Sequence, residues 1–380
     1  MKIAYISPIY FSDVDLSYLQ ALNKHADVYY FIPLGPSTKG AAINIDRLLP
    51  TSDILPADSY SELEKLGNII NLDKTFIINN GVNTKLKAFT LTLKILRKLK
   101  ELHIDVIHLT EMPNWNYFPL YLIKNKIVLS VHDPFVHSCV TSKWYEFRRK
   151  LAFRLLKNFI IFNKNQRNEF IKYYRLEKKR VFNSILSTYT YLHMYKTNIK
   201  KKNQVLFFGQ ITSHKGLEYL LPAMNIIHQY DKEAKLIVAG RGNFHFDISP
   251  YQDLDYINIH NRFIPDEELA NLIQESSLVI CPYIDATQSG VIMSAYAFET
   301  PVIATNVGGL PEMVEHLKTG LIIPARDTQA IVDGVLSLLQ DKDLQSQMVR
   351  NIYNKYVRGE MSWNNIAMDI NSYVYKRMVK

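Results

Sequence analysis

Three short glycine-containing loops in the second half of this 380-residue chain carry residue types suited to holding a phosphate. The first is Phe207-Phe208-Gly209-Gln210-Ile211-Thr212-Ser213-His214-Lys215-Gly216, in which Lys215 could reach a diphosphate as a flexible point charge. A surface lysine that neutralises nothing is the plainer reading of the same residue. The second loop is Ala239-Gly240-Arg241-Gly242, whose two glycines are too few to be specific alone. The third is Gln288-Ser289-Gly290-Val291, placed to open a helix whose free backbone N–H groups and positive dipole end would cradle an anion. Glycines also make ordinary tight turns. Three such loops at successive strand ends fit a ligand site better than turns alone, because in open α/β sheets ligands bind outside the carboxyl ends of the strands.

The elements that would position these loops are legible from apolar runs. Strands are predicted at Val205–Phe208, Leu236–Ala239, Tyr256–Ile259, Leu278–Pro282, Val302–Thr305 and Leu321–Pro324. Between most of them, helical patterns fall at Leu217–Tyr230, Asp266–Ser276, Val291–Glu299 and Gln329–Leu339. Alternating strands and helices indicate βα units and a parallel sheet, covered on both faces because its strands are continuously apolar. The first half repeats the theme, with strands at Ile3–Ile6, Val28–Ile32, Val106–Leu109, Ile127–Val131 and Phe159–Asn163. Its long helices are predicted at Thr84–Leu102 and Ser142–Leu156. The polar, lysine-rich segment 196–204 reads as a linker, dividing a domain over 1–195 from one over 205–357. The remainder, 358–380, reads as a C-terminal helix whose candidate core is Trp363–Met378. No internal repeat or low-complexity tract interrupts this scheme.

Composition narrows the class. Hydrophobic residues make up 47% and charged residues 21%, the balance of a folded globular chain. No run of about 18 or more apolar residues could span a bilayer. The opening Met1–Ser7 stretch is cut short by Pro8 and reads as a buried strand instead of a signal peptide. Two distant cysteines, Cys139 and Cys281, argue against a disulfide framework or a cysteine metal site, which makes the cytoplasm the expected compartment. Charge is divided unevenly. Residues 1–203 hold 31 Lys and Arg against 16 Asp and Glu, or +15, whereas the rest of the chain carries −6. A basic first half suggests an anionic lipid, an anionic acceptor or a nucleic acid as partner.

Taken in order, the loops resemble the retaining glycosyltransferases of family 4, over about Val205 to Pro324. Gly209 through Gly216 is similar to that family's Gly-Arg…Lys-Gly segment, whose basic residues hold the donor diphosphate. The stretch Pro301-Val302-Ile303-Ala304-Thr305-Asn306-Val307-Gly308-Gly309-Leu310-Pro311-Glu312 resembles the family's most recognisable segment nearly residue for residue. Thr319-Gly320-Leu321-Ile322-Ile323-Pro324 continues it at the family's spacing. In the first half, Ser130-Val131-His132-Asp133 is similar to the family's strand-end histidine, and the resemblance implies that His132 hydrogen-bonds a sugar hydroxyl or the leaving phosphate. His103, His108 and His137 show no such match and read as loop or core residues.

The resemblance implies an α/β, GT-B architecture of two Rossmann-like domains facing across a cleft. It implies a UDP- or GDP-linked sugar donor held by the second domain and a glycan or lipid-linked acceptor at the first. It further implies a retaining hexosyl transfer with no cofactor or divalent metal, in which His132 and Lys215 act at the reacting groups. Donor contacts fall on Gly209, Gln210, Lys215, Gly240, Arg241, Gly242, Gln288, Ser289, Gly290 and Val291, with Phe263 and Ile264 assigned to the base.

The pattern is also broken in three places. Gln210 stands where the family has its diphosphate-binding arginine; it can donate hydrogen bonds but neutralises no charge. The family's paired glutamates fall on Thr287 and Ala295, or on Ala286 and Ser294, depending on the anchor. Some members carry a similar Gln-Ser-Gly-Val segment instead, and Asp285 is the nearby carboxylate that could replace the first glutamate. Ser7-Pro8-Ile9-Tyr10 replaces the glycine-rich turn many members have after the first strand. These departures keep open a catalytically silent GT-B subunit that binds a partner or glycan.

Two basic amphipathic segments complete the reading. Residues 85–100 carry six Lys and Arg and no acid, and residues 143–180 carry thirteen bases against three acids. Either could be a core-packing helix with a solvated face. Together they suggest peripheral attachment to anionic lipid on the inner membrane face, since each basic residue near a surface adds roughly 1 kcal/mol. A nucleic-acid partner is disfavoured, because no recognition motif accompanies the charge.

Overall fold

The computed structural model of the chain describes residues 1–34, 42–45, 52–79, 85–112, 115–132, 134–135, 143–162, 164, 166–286 and 289–379. Gln288, Asp133, His137 and Cys139, singled out above, lie outside the described residues. The chain forms two compact α/β units, one of residues 1–186 together with the segment from Trp363 onward, the other Ser187–Ser362. The chain passes between the units at Leu186–Ser187 and again at Ser362–Trp363. A strand begins at Lys202, inside the 196–204 segment.

The second unit holds a six-stranded parallel sheet. Its strands are β9 (Lys202–Phe208), β10 (Lys235–Ala239), β11 (Ile257–His260), β12 (Ser276–Cys281), β13 (Val302–Thr305) and β14 (Gly320–Ile323). They lie in the order β11-β10-β9-β12-β13-β14, the doubly wound order whose switch point falls between β9 and β12. β12 and β13 are buried along their whole length, as strands covered on both faces must be. The helix Leu217–Tyr230 covers the sheet with Leu217, Leu220, Leu221, Met224 and Ile227, one stripe at helical spacing. Asp327 and Asp341 start the helices Thr328–Gln340 and Lys342–Ile352 by accepting from the amides of Ala330 and Leu344. The predicted helix to Glu299 stops at Ala297, since Glu299 turns left-handed at φ 52°.

Among the described residues the first unit holds eight strands: β1 (Lys2–Ile6), β2 (Asp27–Leu34), β3 (Asp53–Pro56), β4 (Thr75–Asn79), β5 (Val106–Leu109), β6 (Ile127–Val131), β7 (Asn158–Ile161) and β8 (Val181–Asn183). Their order is β3-β4-β2-β1-β5-β6-β7-β8, parallel throughout except that β3 runs antiparallel to β4. The switch point here lies between β1 and β5. β3 and β8 are half-exposed edge strands, and Pro56 is tolerated at such an edge because no donor is needed there. The core gathers Phe31, Phe76, Leu91, Ile95, Phe153 and Phe159 around the sheet. The C-terminal segment belongs to this unit: Trp363 packs on Tyr18, the Asn371 side-chain amide donates to the His25 carbonyl, and Tyr375 reaches the sheet. Among the described residues no helix is long and apolar enough to cross a membrane.

Candidate active site

The carboxyl end of β9 shapes the first loop. Gly209, at φ 120°, donates its amide to the Ala239 carbonyl at 3.0 Å and leaves its own open side against Val291, whose Cγ2 would lie 3.6 Å from a β-carbon there. The chain then makes one tight turn over Ser213–Lys215 and enters the next helix through Gly216, at φ 71°. Gly216 is pressed against the Pro282 backbone, just past β12, and the Ile284 amide donates to the His214 carbonyl at 2.8 Å. Loops from the two central strands are therefore stitched together at the switch point.

That stitching sets the Lys215 ammonium over the Tyr283 ring, 3.6 Å from its centroid. Lys215 makes no carboxylate ion pair among the described residues. Burial pushes its pKa below the ordinary lysine range, with the Cys281 thiol pulling slightly the other way. Burial in turn pushes Cys281 up to about 12, so at neutral pH the thiol carries no charge to offset the lysine. A half-buried ammonium on a π face and without a counter-ion is poised for an incoming anion.

Tyr283 also reaches the third loop. Its hydroxyl and the Ser289 Oγ share a hydrogen bond of 3.3 Å, and Thr305 Oγ1 donates to its carbonyl at 2.6 Å. Ser289 occupies the cap position of the helix Gly290–Ala297 without bonding its amides through the side chain. Those amides keep the anion-binding capacity of a helix start. Gly290 lies under Tyr189, whose hydroxyl would be 2.9 Å from any β-carbon, and the Tyr189 amide donates to the Met293 carbonyl at 3.2 Å.

The second loop supports the first. Gly240 and Gly242 lie against the backbones of Gly209 and Ile211, and Asn261 clamps Gly242 with bonds of 3.1 Å to its amide and carbonyl. The Arg241 carbonyl accepts from the Ile211 amide at 3.1 Å, while its side chain is exposed. Phe263 and Ile264 follow β11 at the sheet edge, two strands from β9, with Phe263 64% exposed. Asp285 is exposed close to the cradle.

In the first unit, His132 follows β6 and is sandwiched between Phe11 and Phe162, with ring centroids 4.3 and 5.1 Å away. It lines a cavity with Tyr10, Phe11, Thr110, Arg148 and Arg149. Beneath it, buried His108 places Nε2 2.7 Å from Ser130 Oγ and Nδ1 2.5 Å from the Tyr375 hydroxyl. Burial, and then the nearby His132, depress His108 to about 3, so one ring nitrogen donates and the other accepts. The Tyr5 hydroxyl donates to the buried Asp15 carboxyl at 2.6 Å, and burial raises Asp15 to about 8.

In sequence and in fold the chain is similar to known glycosyltransferases. Residues 202–341 match the family described as glycosyl transferases group 1. An uncharacterized glycosyltransferase of Methanocaldococcus jannaschii is 31% identical over 180 residues, 44% of this chain and 43% of that one. The chain thus spans less than half the length of the first curated relatives it matches. The capsular polysaccharide biosynthesis glycosyltransferase CapM of Staphylococcus aureus is 22% identical over 371 residues, 93% of this chain and 91% of that one. The crystal structure of Anabaena HepE in complex with UDP superposes with a TM-score of 0.64 at 15% identity, covering 99% and 100% of the two chains. The chain has the GT-B fold of glycosyltransferases, and its second unit carries the group 1 segment.

Within this GT-B chain, Gly209, Gln210, Lys215, Ser289, Gly290 and Val291 come from the two loops joined at one switch point, whereas Arg241, Phe263 and Ile264 sit further along the sheet edge. His132 belongs to the other unit. Sequence reasoning missed Tyr283 and Tyr189, which contact the cradle from below and beside it. Tyr283 lies only two residues after the β12 end, where strand-end position was the available signal. It also missed Asp15 and the buried chain from Ser130 through His108 to Tyr375, whose members are distant in sequence. Neither Ser294, which bonds the Gly290 carbonyl, nor the buried Ala295 supplies the carboxylate of the family's second glutamate.

Proposed function

We propose that this GT-B chain is a retaining glycosyltransferase moving a hexosyl group from a UDP- or GDP-linked donor to a glycan or lipid-linked acceptor. One observation carries the reading: a half-buried Lys215 ammonium without a carboxylate partner, joined through Tyr283 to an open helix start at the sheet switch point. The setting of surface polysaccharide synthesis is supported by the likeness to CapM, and a uridine nucleotide is favoured by the UDP bound to HepE. The chemistry is local to the diphosphate. The bond between the anomeric carbon and the β-phosphate oxygen breaks, and negative charge grows on the departing diphosphate. Lys215 and the amides of Ser289 to Val291 stabilise that charge, which is where pre-organised donors contribute most. The acceptor oxygen bonds to the anomeric carbon on the same face, and its proton passes to the departing diphosphate oxygen. No metal is invoked. His132 is assigned a sugar hydroxyl or the leaving phosphate, and the protein is assigned to the cytoplasm, attached peripherally to the inner membrane face through its basic helices.

The test is donor turnover followed by NMR, with UDP- and GDP-hexoses supplied alongside glycan and lipid-linked acceptors. Transfer with the anomeric configuration preserved, unaffected by a chelator, supports the reading. An inverted product contradicts it. A folded protein that neither hydrolyses nor transfers any donor supports the silent-subunit alternative, which Gln210 and the missing glutamates motivate.

A further inference from the structure

We propose that Tyr283 is the positioning residue of the donor site: its ring holds the Lys215 ammonium charged and in place, and its hydroxyl holds the helix start at Ser289 in register with it. The inference rests on the donor reading above, and adds to it a residue that lies outside the glycine loops.

Three observations carry it. The Lys215 Nζ lies 3.6 Å from the Tyr283 ring centroid, well inside cation–π range. A carboxylate in that position would neutralise the lysine before any ligand arrived; an aromatic face attracts the ammonium and leaves its charge for the ligand. The ring occupies one side of the ammonium, leaving N–H donors for a diphosphate oxygen on another. Second, the ring is itself buried and tied at both ends. Tyr283 is 1% exposed, its carbonyl accepts from Thr305 Oγ1 at 2.6 Å, and its hydroxyl meets Ser289 Oγ at 3.3 Å. A flexible lysine stem on a fixed platform loses little further freedom on binding, which is how pre-organisation raises affinity. Third, Tyr283 is the contact shared by the two halves of the cradle. Lys215 comes from the loop after β9 and Ser289 from the loop after β12. With Gln210 replacing a second cation, the placement of the remaining one gains weight.

The role predicts a contrast that a merely structural tyrosine would not show. A diphosphate spans both the ammonium and the helix start, whereas a nucleoside binds through neither. The experiment is calorimetric titration of native protein, Tyr283→Phe, Tyr283→Leu, Lys215→Ala and the Lys215→Ala/Tyr283→Leu pair with UDP, GDP and the parent nucleosides. Tyr283→Leu is expected to weaken diphosphate binding about tenfold and nucleoside binding less than about twofold. Tyr283→Phe keeps the ring and is expected to lose about threefold or less. In the Lys215→Ala background, Tyr283→Leu is expected to add less to the loss than it does alone, because the two residues act together. Should the leucine variant fail to fold, phenylalanines of increasing fluorination at position 283 weaken the ring face at nearly constant volume. Diphosphate affinity is then expected to fall stepwise with fluorination. Equal losses for diphosphate and nucleoside, full additivity with Lys215→Ala, or unchanged or tighter binding across the fluorinated series would each overturn the role. If native protein binds neither UDP nor GDP, the donor reading itself fails, an outcome distinct from any of these.

Discussion

A β-carbon on Gly216 would overlap the carbonyl oxygen of Pro282, so the turn after β9 can close on the end of β12 only with glycine at this position. The same residue holds φ 71°, a left-handed conformation that other L-residues adopt at a cost. Gly216→Ala is therefore expected to lower stability by about 2–4 kcal/mol and to weaken nucleotide binding, because relief of the clash separates the two loops. Gly334 is the internal control. Its nearest neighbours to an added β-carbon lie 3.5 to 3.8 Å away, on the buried face of a helix, so Gly334→Ala should be neutral or stabilising by up to about 1 kcal/mol. Denaturant melts of the two variants check both signs.

Restoring the missing charge should tighten the donor site. Gln210 is exposed, next to Gly209 in the loop after β9. Gln210→Arg is expected to raise UDP or GDP affinity about tenfold by adding a charge-assisted contact, read by titration calorimetry. No change would show that residue 210 does not reach the diphosphate.

Asp15 makes the first unit sensitive to alkali. Its folded pKa, about 8, lies above the ordinary carboxyl value of 3.8, because burial disfavours the ionised form. The fold holds this proton more tightly than the unfolded chain does. The resulting stability is complete below about pH 4 and is lost as pH rises through about 8. Native protein should therefore lose melting temperature between about pH 4 and 8, while Asp15→Asn stays flatter over that window. His108 works in the opposite sense: it is held neutral, with a folded value of about 3 against 6.5, so its contribution is lost as pH falls from about 6.5 toward 3. A matching pH slope in Asp15→Asn and native protein would contradict the burial argument for Asp15.

The doubly wound core was legible because its strands are buried on both faces and read as unbroken apolar runs. Val106–Leu109, Ile127–Val131 and Val302–Thr305 fall on their strands to the residue. The helix Leu217–Tyr230 was legible from its stripe. Strands β3 and β8 were missed for the converse reason: they are three or four residues long and half-exposed, so no pattern separates them from loop. β4, Thr-Phe-Ile-Ile-Asn, is buried throughout, but its polar ends leave only three apolar residues in a row. The cradle loops were found through glycine, whose conformation is local. Tyr283 and the chain from Ser130 through His108 to Tyr375 were not, since their meaning lies in contacts made across long sequence separations.

The basic helices carry a prediction of their own. Phe89 and Leu93 on the helix Lys85–Glu101, and Trp144 and Phe147 on Lys143–Leu155, are exposed, and the latter pair stacks at 5.6 Å. Exposed aromatics beside lysine and arginine suit an anionic lipid surface. The protein is expected to co-sediment with vesicles containing anionic phospholipid and not with neutral ones, and Trp144→Ala with Phe147→Ala to reduce the bound fraction. Equal sedimentation with both vesicle types would rule out charge-directed attachment.

The most direct measurement is the melting temperature of native protein and of Lys215→Ala across UDP, GDP, ADP and their sugars. A ligand bound to the native state raises that temperature by mass action. Stabilisation of the native protein by UDP or GDP, lost or much reduced in Lys215→Ala, is the result expected of a diphosphate held at the β9–β12 switch point. Absence of any shift at millimolar nucleotide, or an equal shift in the variant, would contradict it.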